Sequence, residues 1–133
     1  MFDPVLASLP AFAAYFATAV ALLAVFSCLY ALVTPYSELK LIGAGNAAAA
    51  VSLAGALIGY ALPIAVSVAV SHSLPAMLGW GGVACAVQLS AYVVARLALP
   101  GIALAIPQGK VAAGLFLASL SVAVGILNAG CIA

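Results

Sequence analysis

Long apolar stretches alternate with short polar interruptions along this chain. Four stretches stand out, at about 11–33, 46–70, 76–98 and 110–132. Each is near the roughly 20 mainly apolar residues that a helix needs to cross the hydrocarbon of a bilayer. Thr34, Pro35, Tyr36 and Ser37 close the first, because Pro35 has no N–H to carry a helix on. Ser71-His72-Ser73 separates the second from the third, and Pro100-Gly101 ends the third. No stretch shows period-2 alternation, and Ala and Leu outnumber β-branched residues in most of them. The pattern predicts an all-α protein, a membrane-embedded four-helix bundle, rather than a strand barrel.

Composition turns that pattern into a statement about solvent. Only 4% of the 133 residues are charged, and 69% are hydrophobic. A soluble domain draws about a quarter of its residues from Asp, Glu, Lys and Arg, so the expected solvent is lipid. The length suits one transmembrane domain, 1–133. A net charge of +1 excludes a nucleic-acid-binding face. The amino end carries Asp3 and no Lys or Arg, unlike a secretory leader, so the first stretch is expected to be a retained span. Cys28, Cys85 and Cys131 lie in apolar runs with no metal-ligand spacing and are expected to be small buried hydrophobes.

The basic residues suggest an orientation. Lys40 lies in the first connection, while Arg96 and Lys110 flank the third. Positive residues stay on the cytoplasmic side. Both termini and the His72 loop are then expected outside, in the periplasm or beyond.

The two halves resemble each other, at about 11–70 and 76–132. Gly45-Asn46 opens the second span, and Gly109-Lys110 opens the fourth 64 residues on. Ile42 precedes Gly45 as Ile106 precedes Gly109, and Pro35 matches Pro100 with one inserted residue. Two spans per unit implies two parallel two-helix repeats, related by an axis along the membrane normal.

The run Ile42-Gly43-Ala44-Gly45-Asn46 with Gly55, Gly59 and Pro63 resembles the first half of the YjfL-like family of small bacterial inner-membrane proteins. Gly109-Lys110-Val111-Ala112-Ala113-Gly114 through Gly125-Ile126-Leu127-Asn128 resembles the second half. The likeness covers nearly the whole chain. It implies a four-span protein of the bacterial inner membrane with no assigned activity. Family members are often encoded near membrane-stress coat proteins and amide-forming ligases, which implies an envelope role and envelope partners. The family supplies no functional residues to carry over.

Polar groups inside lipid are the candidate sites, because leaving them unpaired is costly. Gln88, Tyr92 and Arg96 follow at four-residue steps and share one stripe of the third span. They either line a narrow aqueous path, or serve as interhelical glue, packing and an interfacial anchor. Asn46 is expected to cap its helix. Lys110 opposes the helix dipole and would be compensated by water or lipid phosphate; with Arg96 and Lys40 it could instead form an anion site. Asn128, deep in the fourth span, would bond Gln88, Ser119 or a symmetry mate.

Small residues are spaced for close helix packing. Gly55 and Gly59 form one step, while Ser121, Gly125 and Ala129 form another at four-residue intervals. Pro63 is expected to kink the second span. One histidine permits no His-based metal cluster or triad, and no cofactor is expected. No acid lies within the spans, which argues against proton coupling.

Two functions are open on these residues. The first is a non-catalytic membrane subunit that associates with copies of itself and with envelope proteins. The alternative is a small oligomeric channel or transporter for an anion or neutral polar solute, lined by Gln88, Arg96 and Asn128.

Overall fold

The structure is a computed structural model that describes residues 3–133. It is all-helical, with no strand among the described residues. Helix α1 spans Asp3–Val33, α2 Glu38–Gly43, α3 Ala47–Val70, α4 Leu74–Ala98, α5 Ile102–Ala105 and α6 Val111–Ile132. Four of these, α1, α3, α4 and α6, are long and apolar enough to cross a membrane. At 1.5 Å per residue a 20-residue helix already covers about 30 Å of hydrocarbon. Side chains such as Phe12, Phe16, Leu32, Val94 and Leu127 point outward. Lipid is as apolar as they are, so that exposure carries no penalty.

α1 starts at Asp3, ahead of the expected position near residue 11. Pro4 falls in the first turn, where a missing N–H costs nothing. Pro10 lies inside the helix without ending it.

The connections also hold more order than expected. The first contains α2 and the third contains α5, and both end in the same way. Gly45 (φ 89°) and Gly109 (φ 76°) take the left-handed conformation that closes a helix. Gly45 N–H donates to Ile42 O at 2.9 Å and Asn46 N–H to Leu41 O at 2.9 Å. In the third connection Gly109 N–H donates to Ile106 O at 2.9 Å and Lys110 N–H to Ala105 O at 3.1 Å. Each donor and acceptor of the first turn thus has its counterpart 64 residues on. Only glycine reaches such φ without steric cost, so the sequence places one at each turn.

Asn46 joins the two turns. Its Oδ1 accepts from Ala49 N–H at 3.0 Å, capping α3, while its Nδ2 donates to Ile106 O at 2.8 Å and, more loosely, to Pro107 O at 3.3 Å. Lys110 occupies the matching place and makes no side-chain cap. Asn46→Ala is expected to cost about 1–2 kcal/mol through the lost cap and the abandoned carbonyls. Lys110→Ala should cost much less. Denaturation of both variants in mixed micelles, followed by circular dichroism, checks the contrast.

α3 and α6 run side by side in the same direction. Gly114 lies on the Ala48 carbonyl, Gly55 on the Ala118 backbone, Gly59 on the Ser121 carbonyl and Gly125 on the Gly59 carbonyl. A Cβ at any of the four would overlap backbone of the other helix. α4 packs across both helices, and α1 packs on α3 and α4. At the centre Phe26 stacks on Tyr60, with ring centroids 4.5 Å apart, and Tyr30 meets Tyr92 edge to face at 5.4 Å. Tyr60 donates its hydroxyl to Gly81 O of α4 at 2.9 Å. Pro63 is fully buried within α3.

The cysteines depart from expectation. Cys28 and Cys131 are exposed, and Cys85 is half-buried. A thiol behaves as a small hydrophobe, so a lipid-facing position accepts it as readily as a core does.

Candidate functional site

The polar residues of α4 divide between two neighbours. Gln88 and Tyr92 are buried, while Arg96 is exposed. Gln88 Nε2 donates to Ser121 O of α6 at 3.1 Å, next to Gly59. The absence of a side chain at Gly59 leaves room for that amide. Gln88 Oε1 is buried and has no partner. Arg96 lies within 3.5 Å of Val33 O, the last residue of α1. Asn128 Nδ2 donates to Ala84 O of α4 at 3.3 Å. That partner is none of those expected, because α4 lies across α6 and presents its own carbonyl to Asn128. Gln88 and Asn128 therefore both tie α6 to α4.

One turn below Gln88, Tyr92 faces α1 and the first connection. Its hydroxyl lies near that of Tyr36, yet neither makes a hydrogen bond of acceptable geometry. Tyr30 shares a 3.4 Å contact with Ser52 Oγ of α3. Among these rings sits Glu38, the first residue of α2. It is 6% exposed, and both carboxylate oxygens are buried and unpartnered. Thr34 lies close enough to favour its charged form slightly, but the Thr34 hydroxyl is held by Ala31 O at 3.2 Å and Tyr36 O at 3.4 Å. Burial dominates and pushes the Glu38 carboxyl up to about 7. The same desolvation pushes the Tyr36 phenol up, assisted by Tyr92, Tyr30 and Glu38.

Sequence reading places no acid in the interior of the spans, and it does not reveal that Glu38 is buried. The residue does lie outside the four spans, but α2 folds back and seals it against α1 and α3. Ser37 before it and Lys40 two residues on are what a solvated loop would carry, so the local pattern conceals the burial. The available signal was the Tyr36 ring two residues before one of only two acids in the chain.

A cavity of about 570 Å³ adjoins this cluster. Tyr30, Thr34, Tyr36 and Glu38 line it, with Leu53 and Leu57 of α3 as an apolar wall. A larger recess of about 700 Å³ lies near His72, between α1 and α3, lined by Phe12, Tyr15, Phe16 and Val68. It is open and apolar, as a groove for lipid tails would be, and lies at the opposite end from the polar cluster.

Lys40, Arg96 and Lys110 all lie at the Glu38 end, since Asn46 bonds to the third connection and Arg96 reaches Val33. Lys40 and Lys110 are exposed. The Gly55, Gly59 and Gly125 positions are engaged within the chain, in the α3–α6 seam, beside half-buried Ser121 and buried Ala129.

A family model described as a Domain of Unknown Function, DUF350, matches residues 4–132. The UPF0719 inner membrane protein YjfL of Escherichia coli (strain K12) is 37% identical over 127 residues, 96% of each chain. Its counterpart in Escherichia coli O157:H7 gives the same figures. The UPF0719 transmembrane protein YshE of Bacillus subtilis (strain 168) is 33% identical over 88 residues, 66% of each chain. No solved structure matches.

Proposed function

Taking as premise that the chain belongs to the DUF350 family of membrane proteins, we propose that it is a non-catalytic carrier that passes a small polar solute through its own polar core. One observation carries this reading. Gln88 Oε1, the Tyr92 and Tyr36 hydroxyls and both Glu38 oxygens are buried without partners, on α4, the first connection and α2. Each such group costs about 1–3 kcal/mol when unsatisfied. A membrane protein that keeps five of them together has a use for polar contacts there. Asn128 donates to Ala84 O, and exposed Arg96 lies beside Val33 O, so the proposed route runs past Gln88, Tyr92, Tyr36 and Glu38 instead. An acid at its end favours a cation or neutral solute over an anion. The three basic residues at the Glu38 end support a cytoplasmic location for that end, with both termini outside.

Liposome swelling tests the reading, with urea, glycerol, glycine and methylammonium chloride as probes. At least one probe is expected to enter faster than in protein-free liposomes, and Gln88→Leu to slow it severalfold. Entry at the protein-free rate for all four probes would contradict the reading.

A second reading, self-association and the docking of envelope proteins, has one supporting observation. The lipid-facing side of the α3–α6 seam is a shallow groove of small residues, among them Ala54, Gly55, Ala118, Ser119 and Ala123. Such a surface suits close approach by another helix.

A further inference from the structure

Glu38 is a buried acid with no cation beside it. Lys40, two residues on, is exposed, and Arg96 is turned to the Val33 carbonyl. No ion pair joins Glu38 among the described residues. Round it stand Tyr30 from α1, Thr34 and Tyr36 from the turn between α1 and α2, Leu53 and Leu57 from α3, and Tyr92 from α4. Thus one carboxylate sits in a setting otherwise made of aromatic rings, hydroxyls and aliphatic groups.

That combination selects a chemical class. A divalent metal needs about six oxygen ligands, and a lone carboxylate supplies too few. A neutral solute leaves the carboxylate unpaired. An organic ammonium ion matches both features: its charge meets the carboxylate, and its alkyl surface meets ring faces, where cations are attracted to the π-system. The cavity, at about 570 Å³, has room for such an ion, and the Glu38 oxygens, shielded from it in this structure, reach it by rotation of their side chain.

We propose that this cavity binds a small organic ammonium ion, with the Glu38 carboxylate as its counter-ion and the Tyr30 and Tyr36 rings as its walls, one proton leaving for each ion bound. The inference rests on the carrier reading and names its substrate class. The exchange balances: the acid releases H⁺, the cation takes its place, and the site stays neutral. Burial of Glu38 supports the exchange, because a carboxyl titrating at about 7 gives up its proton at ordinary pH.

The test is calorimetric titration of the purified full chain in detergent micelles with tetramethylammonium chloride, at pH 6 and pH 8. tert-Butanol is the neutral comparator and sodium chloride the inorganic one. Saturable binding is expected, about tenfold tighter at pH 8 than at pH 6, as follows from ionisation of one group with a pKa near 7. Titration in two buffers of different ionisation enthalpy should show about one proton released per ion at pH 6. Glu38→Gln should weaken binding by about tenfold or more and remove its pH dependence. Tyr36→Leu should weaken it severalfold, while Tyr36→Phe keeps it. Circular dichroism confirms that each variant is folded. Equal binding of tert-butanol or sodium, unchanged binding by Glu38→Gln, or no saturable binding overturns the proposal. If another probe crosses liposomes while tetramethylammonium does not bind, this inference falls and the carrier reading stands. If tetramethylammonium binds as expected while no probe crosses, the site stands and the carrier reading falls.

Discussion

Gly125→Leu is expected to destabilise the α3–α6 pair by about 3 kcal/mol or more, at or beyond the upper end of what overpacking costs. The cause is local. Gly125 rests on the Gly59 carbonyl, so any Cβ must push main chain away rather than a pliable side chain. Helices in lipid gain nothing from hiding apolar surface from each other, and close van der Waals contact is what holds them together. Separating α3 from α6 therefore removes the main attraction between the halves. It also withdraws Ser121 O from Gln88 and Asn128 from Ala84. Gly130→Leu is the matched control, because nothing lies within 4 Å of a Cβ added there. Unfolding in mixed micelles with increasing dodecyl sulfate should shift sharply for Gly125→Leu and little for Gly130→Leu. Equal midpoints for the two variants would mean that the seam does not hold the fold.

The second large effect is on pH dependence. The Glu38 carboxyl is raised from 4.5 to about 7 by folding. The native state therefore binds the proton more tightly than the unfolded chain does. Stability from this group is fully present below about 4.5, the unfolded value, and is lost as pH rises through about 7. A shift of this size corresponds to roughly 3–4 kcal/mol. Glu38→Gln keeps the shape and removes the charge. It is expected to make the protein more stable than wild type by roughly that amount at pH 8, and about equal to it at pH 4. Parallel unfolding curves of the two proteins from pH 4 to pH 8 provide the check. A wild type whose stability rises across this interval relative to Glu38→Gln would give Glu38 the opposite sign, that of a paired surface acid.

The sequence made the spans plain because lipid leaves few choices. Where water cannot reach the peptide groups, an apolar run of 20 residues must be helix. The same constraint made Asn46 readable as a cap, and its family pattern recognisable. The resemblance to YjfL-like proteins is borne out by relatives 37% identical over 96% of the chain. Other features depend on tertiary packing and left weaker traces. The apolar run suggested a start for α1 near residue 11, yet the helix extends back to Asp3 through Pro10. The partner of Asn128 depended on where α4 crosses α6, which spacing along one helix cannot tell. Glu38 was the main loss. Ser37 and Lys40 beside it suggest a solvated loop, and only the fold-back of α2 makes it a buried acid. The cysteines were misplaced for the converse reason: in lipid, the outside is also apolar.

Carbon NMR of the glutamate carboxyl measures the protonation of buried Glu38 directly. Glu38 is the sole glutamate of the chain, so protein labelled at glutamate Cδ gives one carboxyl signal, which can be followed in micelles from pH 4 to pH 9. One protonation step centred near pH 7 is expected, moved toward lower pH by added tetramethylammonium chloride. A signal that titrates near 4.5, as a solvated carboxylate does, would contradict it.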